Sequence, residues 1–241
     1  MPTPASVPSL GGEEKRSYVR SMFTAIAPRY DLLNHVLSLN IDRRWRRCAV
    51  SRLGWETAPR GTYLDLCAGT LDLAAVLASR PGFDGRVVGA DFVVPMLRHG
   101  TRKAHQVRPV GADALGLPFA AGTFDGCLVG FGVRNLADVD VGLAEIARVL
   151  KPGARLVVLE FATPTIWPIR PLYRFYFQRV LPGIGRLVSK HRTAYTYLPN
   201  SVDRFPTPEA FGRRLGAAGF DAVGSTRLTL GVAALCWGTR G

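Results

Sequence analysis

"YLDLCAGTLDLA", Tyr63 to Ala74, decides the fold. An apolar run carrying Asp65 opens into the small-residue turn Cys67-Ala68-Gly69-Thr70 and then into a helical pattern, the order in which a first strand, turn and helix begin a nucleotide-cofactor site. Gly69 leaves room for backbone to approach a ligand at the start of that helix, where free N–H groups favour a negative group. "GRVVGADF" follows as a second strand ending in Asp91, at the distance where an acid accepts hydrogen bonds from both ribose hydroxyls of an adenine cofactor.

A dinucleotide wants an open, glycine-rich turn against its pyrophosphate, and Cys67, Ala68 and Leu71 crowd this one. NAD is therefore disfavoured. S-adenosylmethionine has no pyrophosphate and tolerates such a turn, so it is the expected cofactor. The competing reading is a tight strand-to-helix connection with no ligand. Further on, "GADALGLPF" places Asp113 after a third strand, where it either reaches an adenine amino group or caps a helix.

Working outward, Lys15 to about Arg52 shows helical spacing interrupted at Pro28. Downstream of Asp91 come a helix from about Pro95 to His105, a short strand near Val107 to Gly111, and the apolar strand "TFDGCLVGFGV", suited to a sheet covered on both faces. A helix from Val139 to Leu150 stops at "KPG", and "ARLVVLEFA" makes another strand. Residues 164–206 mix Pro, aromatic and basic residues without strand alternation and predict a helical insertion. Thr207 reads as an N-cap, and two final strands meet near Gly231. The expected architecture is α/β: a doubly wound, mostly parallel seven-stranded sheet with an N-terminal helical segment and that insertion. Residues 1–14 read as a flexible lead-in and 15–241 as a single domain.

No apolar stretch approaches the roughly 18 to 20 residues that span a bilayer, and the N-terminus lacks the pattern of a signal peptide, so a cytoplasmic protein is expected. Four cysteines lie scattered, without zinc-site spacing, and no metal site is expected. With 31 Lys and Arg against 18 Asp and Glu, the net charge is +13. That potential attracts nucleic acid, anionic lipid or acidic ligands. An Arg-rich composition that merely follows a GC-rich genome is the plain alternative.

The sequence closely resembles the quinone-biosynthesis C-methyltransferases of the UbiE/MenG type. "YDLLNHVLSLNIDRRW" is similar to that family's first signature and "RVLKPGARLVVLEFA" to its second; "FGVRN", "LPFAAGTFD", "RTAYTYLPNSVDRFP" and "AAGFDAVGSTRLTLGVAAL" match between and after them. The likeness runs from near Glu14 through nearly the whole chain. It implies S-adenosylmethionine contacts on Thr70, Asp91, Asp113 and Ala114, with Gly130 as a further contact beside Asp65 and Gly69. The chain departs from the family at Leu71 and Ala154 (glycine there), Asp42 (histidine), Ala162 (serine) and Gly130 (serine or alanine). Leu71 matters most, because its side chain is placed to meet the methionine part of the cofactor unless the turn relaxes. A non-catalytic relative is one reading that follows.

The implied reaction is methyl transfer to a ring carbon of a polyprenylated quinol, either demethylmenaquinol or its benzoquinol equivalent. Such a transfer needs orientation and exclusion of water rather than a strong nucleophile. Arg134 and Asn135 follow the apolar strand at its carboxyl end and are the catalytic candidates. Arg134 would stabilise the phenolate or position a water that takes its proton, and Asn135 would orient a hydroxyl; arginine stays protonated and is no direct base. The alternative for Arg134 is a structural pair with Asp138 or Asp140.

Tyr30 and Asn34, one helical turn apart, are candidates to face cofactor or acceptor. His191 and Tyr195 in the insertion are further candidates for quinol contact, with a solvated basic face as the plain reading. The aromatic and basic residues from Trp167 to Arg192, together with Arg43 to Arg47, fit attachment to an anionic membrane surface, each nearby cation contributing about 1 kcal/mol. A protein that binds or modifies nucleic acid is the competing function for the same charge. No nucleic-acid partner is expected on the preferred reading, and the oligomeric state is left open.

Overall fold

The computed structural model describes residues 12–180 and 192–241. Its strands are β1 (Thr62–Leu66), β2 (Arg86–Asp91), β3 (Val107–Gly111), β4 (Phe124–Gly130), β5 (Leu150–Phe161), β6 (Phe220–Leu228) and β7 (Ala233–Arg240). They form one seven-stranded sheet in the order β3-β2-β1-β4-β5-β7-β6. All pairings from β3 to β5 are parallel, and β7 runs antiparallel to both neighbours. Strand order reverses between β1 and β4, and in open sheets of this kind ligands gather in the crevice at the carboxyl ends there.

The N-terminal segment is α1 (Gly12–Ile26), a short 3-10 turn at Ala27–Arg29, α2 (Tyr30–Leu37) and α3 (Ile41–Leu53). Pro28 sits where a helix start tolerates its missing N–H, so it breaks the segment in two. The covering helices are α4 (Asp72–Ala78), α5 (Val94–Gly100) and α6 (Val139–Val149). In the insertion α7 (Ile169–Phe175) runs into a wider turn at Tyr176–Val180, and α8 (Arg192–Arg204) returns the chain to α9 (Pro208–Ala217). Thr207 is the N-cap of α9, its hydroxyl accepting from the Ala210 N–H at 3.3 Å.

Two local readings shift. The pattern "TLDLAAVLASR", which reads as a helix from Thr70, becomes helical only at Asp72: Leu71 holds the N-cap position in a left-handed conformation (φ 64°) without a side-chain cap. And β5 starts at Leu150, before "KPG", because Gly153 (φ 78°) lets the strand bulge and rejoin β4 with Gly126 opposite Arg155.

Core residues fill both faces of the sheet. Leu64, Phe124, Ile146 and Phe211 pack with α6 and α9 on one side; Leu71, Leu77, Leu128 and Val157 pack with α3, α4 and α5 on the other. Burying each such side chain contributes about 1.5–3 kcal/mol. A third cluster joins α1 to the insertion through Val19, Met22, Tyr173 and Tyr197, above the carboxyl ends of the strands. Among the described residues no helix is long and apolar enough to cross a membrane.

Candidate functional site

The turn after β1 places Cys67, Gly69 and Leu71 in the left-handed region (φ 55°, 53° and 64°). For a non-glycine residue that conformation costs about 1–2 kcal/mol, so the surroundings must hold it. Ala68 N–H donates to Ala90 at 3.0 Å, Leu71 N–H to Ala68 at 2.8 Å, and Gly69 N–H to the Asp91 carboxylate at 2.8 Å. The other Asp91 oxygen accepts from Val93 N–H at 2.8 Å, which leaves each oxygen further lone-pair capacity for a ligand. Burial pushes the Asp91 carboxyl up to about 6 against those two hydrogen bonds.

Leu71 turns away from this site. Its side chain is fully buried and fills the space left by two glycines: a Cβ at Gly89 would lie 2.3 Å from Leu71 Cδ2, and one at Gly100 2.7 Å from Leu71 Cγ. The collision with a cofactor that the sequence pointed to therefore does not occur, and the basis for a non-catalytic relative falls with it. Gly130 has a similar explanation, since a Cβ there would lie 2.6 Å from Leu73 Cδ1.

Three small chambers run along the strand ends. One of about 30 Å³ is lined by Asp65, Gly69, Thr70 and Gly130. The next, about 50 Å³, shares Gly69 and adds Asp91, Phe92 and Met96. The third, about 30 Å³, shares Asp91 and Phe92 and adds Asp113, Ala114 and Leu115. Along the row the lining passes from a polar turn to a central acid and then to an acid beside aliphatic side chains.

Asp65 spends one oxygen on Ala74 N–H at 2.9 Å and so also ties α4 to β1; burial, outweighing that bond, pushes it up to about 7. Thr70 caps no helix; its hydroxyl donates to Asp31 at 2.5 Å. Asp113 is no helix cap either: one oxygen takes Leu115 N–H at 2.9 Å, and the other pairs with Arg16.

Beside the chambers opens a cavity of about 470 Å³, mainly apolar, with Met22, Ile26, Trp45, Phe161, Leu172 and Tyr173 among its walls. Tyr30 and Phe131 line it and also the first two chambers, so they stand between the two spaces. Asn34, Arg46, Arg134 and Tyr197 bring polar atoms to its wall. The Asn34 side chain hydrogen-bonds the Tyr30 hydroxyl, and burial raises the Tyr30 pKa.

Arg134 and Asn135 meet at one atom. Both donate to the Phe131 carbonyl, Arg134 Nη1 at 2.6 Å and Asn135 Nδ2 at 3.2 Å, fixing Phe131 in its left-handed conformation (φ 59°). Arg134 does not pair with Asp138 or Asp140, as the alternative had it. Asp138 caps α6, Asp140 meets Arg214 at 3.6 Å, and Arg134 pairs with buried Glu160 at 2.6 Å. Its Nε is buried without a hydrogen-bond partner. Asn135 lines the second and third chambers rather than the large cavity, and its carbonyl accepts from the Tyr197 hydroxyl at 3.0 Å.

A chain of charges braces the N-terminal helices against the turn. Buried Asp42 accepts from Ser38 at 2.6 Å and from His35 at 3.1 Å, and it pairs with Arg46; against burial, these partners hold its carboxyl below the usual range. Arg46 reaches on to Asp72 at 3.1 Å, and Lys103 joins Asp72 to Asp31. Asp42, a signature position with no role legible in the sequence, thus orients Arg46. Arg46 itself is only 6 % exposed, so the basic run Arg43 to Arg47 is not one uniform surface patch. Over the third chamber, Lys15 of α1 is buried and donates to the carbonyls of Arg134 at 3.2 Å and Leu136 at 2.5 Å.

The site thus gathers eleven of the residues expected from the sequence: Tyr30, Asn34, Asp65, Gly69, Thr70, Asp91, Asp113, Ala114, Gly130, Arg134 and Asn135. Tyr195 falls in α8, where only its backbone is described, and His191 lies outside the described residues. Sequence reasoning missed Lys15, Arg16, Arg46 and Tyr197. For Tyr197 the signal was its i,i+4 spacing from the buried Ser201; Arg46 was hidden inside a run of exposed arginines.

The model of the ubiE/COQ5 methyltransferase family matches residues 11–240. The demethylmenaquinone methyltransferase of Thermus thermophilus is 53 % identical over 91 % of this chain and 100 % of its own length. The protein named demethylmenaquinone methyltransferase in Deinococcus radiodurans is 45 % identical over 95 % of each chain. That named ubiquinone/menaquinone biosynthesis C-methyltransferase UbiE in a Geobacter species is 44 % identical over 94 % of this chain and 98 % of its own. Among solved structures, the [4+2]-cyclase SpnF (TM-score 0.67, 16 % identity, 99 % and 97 % coverage) shares the fold. So does a methyltransferase of Thermotoga maritima described as a possible histamine N-methyltransferase (TM-score 0.65, 17 % identity, 92 % and 99 % coverage).

Proposed function

The chain belongs to the ubiE/COQ5 methyltransferase family, and we propose that it is an S-adenosylmethionine-dependent C-methyltransferase that converts demethylmenaquinol, a polyprenylated quinol, to menaquinol. The observation that carries this reading is the row of three chambers lined by Asp65, Gly69, Asp91 and Asp113, which meets a 470 Å³ apolar cavity across Tyr30 and Phe131. Asp91 would hold the ribose, Asp113 with Ala114 the purine, and Thr70, Gly69, Asp65 and Gly130 the amino-acid end. Bound there, the cofactor would supply an electrophilic methyl for a ring carbon of the quinol.

The protein's part is placement and charge. Arg134 faces the acceptor cavity with a cation whose partner Glu160 is fixed behind it, and it stabilises the phenolate that makes the ring carbon nucleophilic. Asn135 is a positioning residue: it holds the Phe131 carbonyl and the Tyr197 hydroxyl rather than the quinol itself. Tyr30 and Asn34 face the acceptor ring next to the methyl donor. The apolar walls exclude water.

Leu39 and Leu172, which line the cavity, are exposed (77 and 70 %), as are Trp167 and Phe175 (83 and 61 %) next to Arg170 and Arg174 in the same segment as Leu172. Exposed apolar side chains interleaved with cations support peripheral attachment to an anionic membrane, from which a prenyl tail reaches the cavity. The test is calorimetric titration with S-adenosylmethionine combined with mass spectrometry of methyl transfer to short-chain naphthoquinols and benzoquinols. Binding plus methylation of the naphthoquinol is expected. Absence of both signals overturns the proposal, and exclusive use of the benzoquinol overturns the acceptor.

A further inference from the structure

On the outer side of α3, away from the cofactor chambers, lies a second groove of about 650 Å³ walled by five arginines: Arg44, Arg47, Arg52, Arg80 and Arg155. They arrive from α3, the turn just after α4 and the middle of β5, so no sequence run reveals the cluster. Among the described residues, none of the five pairs with a carboxylate. Three are held in place by other means. Arg80 Nη2 donates to the Arg47 carbonyl at 3.0 Å and to Ser51 at 3.1 Å, Arg155 Nη1 donates to the Arg52 carbonyl at 3.0 Å, and the Arg52 guanidinium stacks 4.1 Å above the Trp237 ring. Arg80 Nε is buried with no partner.

Five guanidiniums without a carboxylate partner, three of them held in place, repel one another, and a phosphate relieves that repulsion through the fork geometry of arginine. The groove is not uniformly polar, because Cys48, Leu228 and Leu235 line it too. It adjoins the acceptor cavity: Leu228 lines the groove and the next residue, Thr229, lines the cavity, while α3 gives Arg44 to one and Trp45 to the other. A basic wall with an apolar floor next to the entrance for a prenyl tail fits a phosphate carried on hydrocarbon better than a free one.

We propose that this groove binds the phosphate of an anionic phospholipid and so seats the acceptor cavity against the bilayer. The choice of lipid as the phosphate's carrier rests on the quinol reading above; the anion site itself does not. Arg44 and Arg47 are exposed, and their side chains make no hydrogen bond within the described residues, so Arg44→Gln/Arg47→Gln leaves the fold intact. Arg98→Gln/Arg108→Gln, exposed near the far edge of the sheet, removes the same charge elsewhere.

The experiment measures flotation of the full chain with phosphatidylglycerol/phosphatidylcholine vesicles and with phosphatidylcholine alone, plus competition by inorganic pyrophosphate and by single-stranded RNA. Methyl transfer to a short-chain quinol without vesicles is followed in parallel. The expected result is binding to the anionic vesicles only, weakened roughly thirtyfold in the groove variant, two cations at the strength usual for a membrane surface. The control variant loses much less, and activity without vesicles is unchanged in both. Equal loss in the two variants means diffuse charge and overturns the site. Groove-dependent binding of pyrophosphate or RNA with no binding to vesicles overturns the lipid. Absence of methyl transfer in the unaltered chain counts against the function proposed above and leaves the vesicle result standing by itself.

Discussion

Leu71 Cδ2 occupies the space that a side chain at Gly89 would need, 2.3 Å from where its Cβ would lie. A leucine in the cofactor turn is accommodated because the neighbouring strand carries nothing opposite it. The pair predicts a coupling. Gly89→Ala forces Leu71 out of a packed position and destabilises by about 1–3 kcal/mol, and Leu71→Ala opens a cavity at about 2–5 kcal/mol. Combined, they restore part of the loss, because the new methyl enters the vacated space. Gly100→Ala has no such rescue, since its Cβ would lie 2.5 Å from the Thr70 backbone oxygen. Urea unfolding of the three singles and two doubles checks this; equal rescue at both glycines contradicts the packing described.

Much of this site was legible because its parts are local. Strand, turn and strand-end acid sit within one βαβ unit, and periodicity with turn chemistry places Gly69 and Asp91 without tertiary knowledge. What stayed hidden depends on partners far apart in sequence. The destination of Leu71 depends on Gly89 and Gly100, the role of Asp42 on Arg46 being folded inward, and that of Arg134 on Glu160 at the end of β5. The nearest acids in sequence, Asp138 and Asp140, were the wrong partners because a helix start claims the first and α9 the second.

Asp91 carries a pH prediction. Its pKa of about 6 means that ribose binding, which needs a carboxylate to accept two hydroxyls, weakens as pH falls below about 6, approaching tenfold per pH unit. Asp91→Asn binds more weakly at pH 8 and loses the pH dependence. Calorimetry between pH 5 and 8 tests both, and an unchanged slope in the variant removes Asp91 from the binding site.

The same burial sets a stability trend. Asp65 and Asp91 titrate near 7 and 6 in the folded chain, against about 3.9 when unfolded. The folded state therefore holds more protons than the unfolded state between roughly pH 4 and 7, and the contribution of these two groups to stability falls as pH rises through that window. Asp65→Asn is expected to flatten the fall, and denaturant midpoints measured across the window show whether it does.

For Arg134, removal and replacement separate structure from catalysis. Arg134→Ala strands Glu160, 4 % exposed, in the interior and costs about 3–5 kcal/mol. Arg134→Lys keeps a cation near Glu160 and most of that stability, but it loses the bond to the Phe131 carbonyl and the planar guanidinium that lies 5.5 Å from the Phe161 ring centroid. It is expected to lower kcat far more than it raises KM for the quinol, and to move the alkaline rise of kcat upward by about one pH unit as the acceptor hydroxyl loses its cation. A lysine variant with an unshifted profile makes Arg134 structural only.

Access to the chambers yields the last prediction. The chambers of 30 to 50 Å³ are too small for an adenosyl cofactor, and α1 lies over the third of them, with Lys15 on the Arg134 and Leu136 carbonyls and Arg16 on Asp113. Entry therefore requires α1 to lift, and the Asp113 oxygen that would take the purine amino group must be shared with or released by Arg16. Lys15→Met removes two of the anchoring bonds while keeping the buried stem, so cofactor association and dissociation both quicken, by about tenfold for dissociation, as the cover opens more readily. Hydrogen exchange in α1 slows when S-adenosylmethionine binds the unaltered chain and slows less in the variant. Stopped-flow binding with rates indifferent to Lys15 makes α1 a fixed wall rather than a cover.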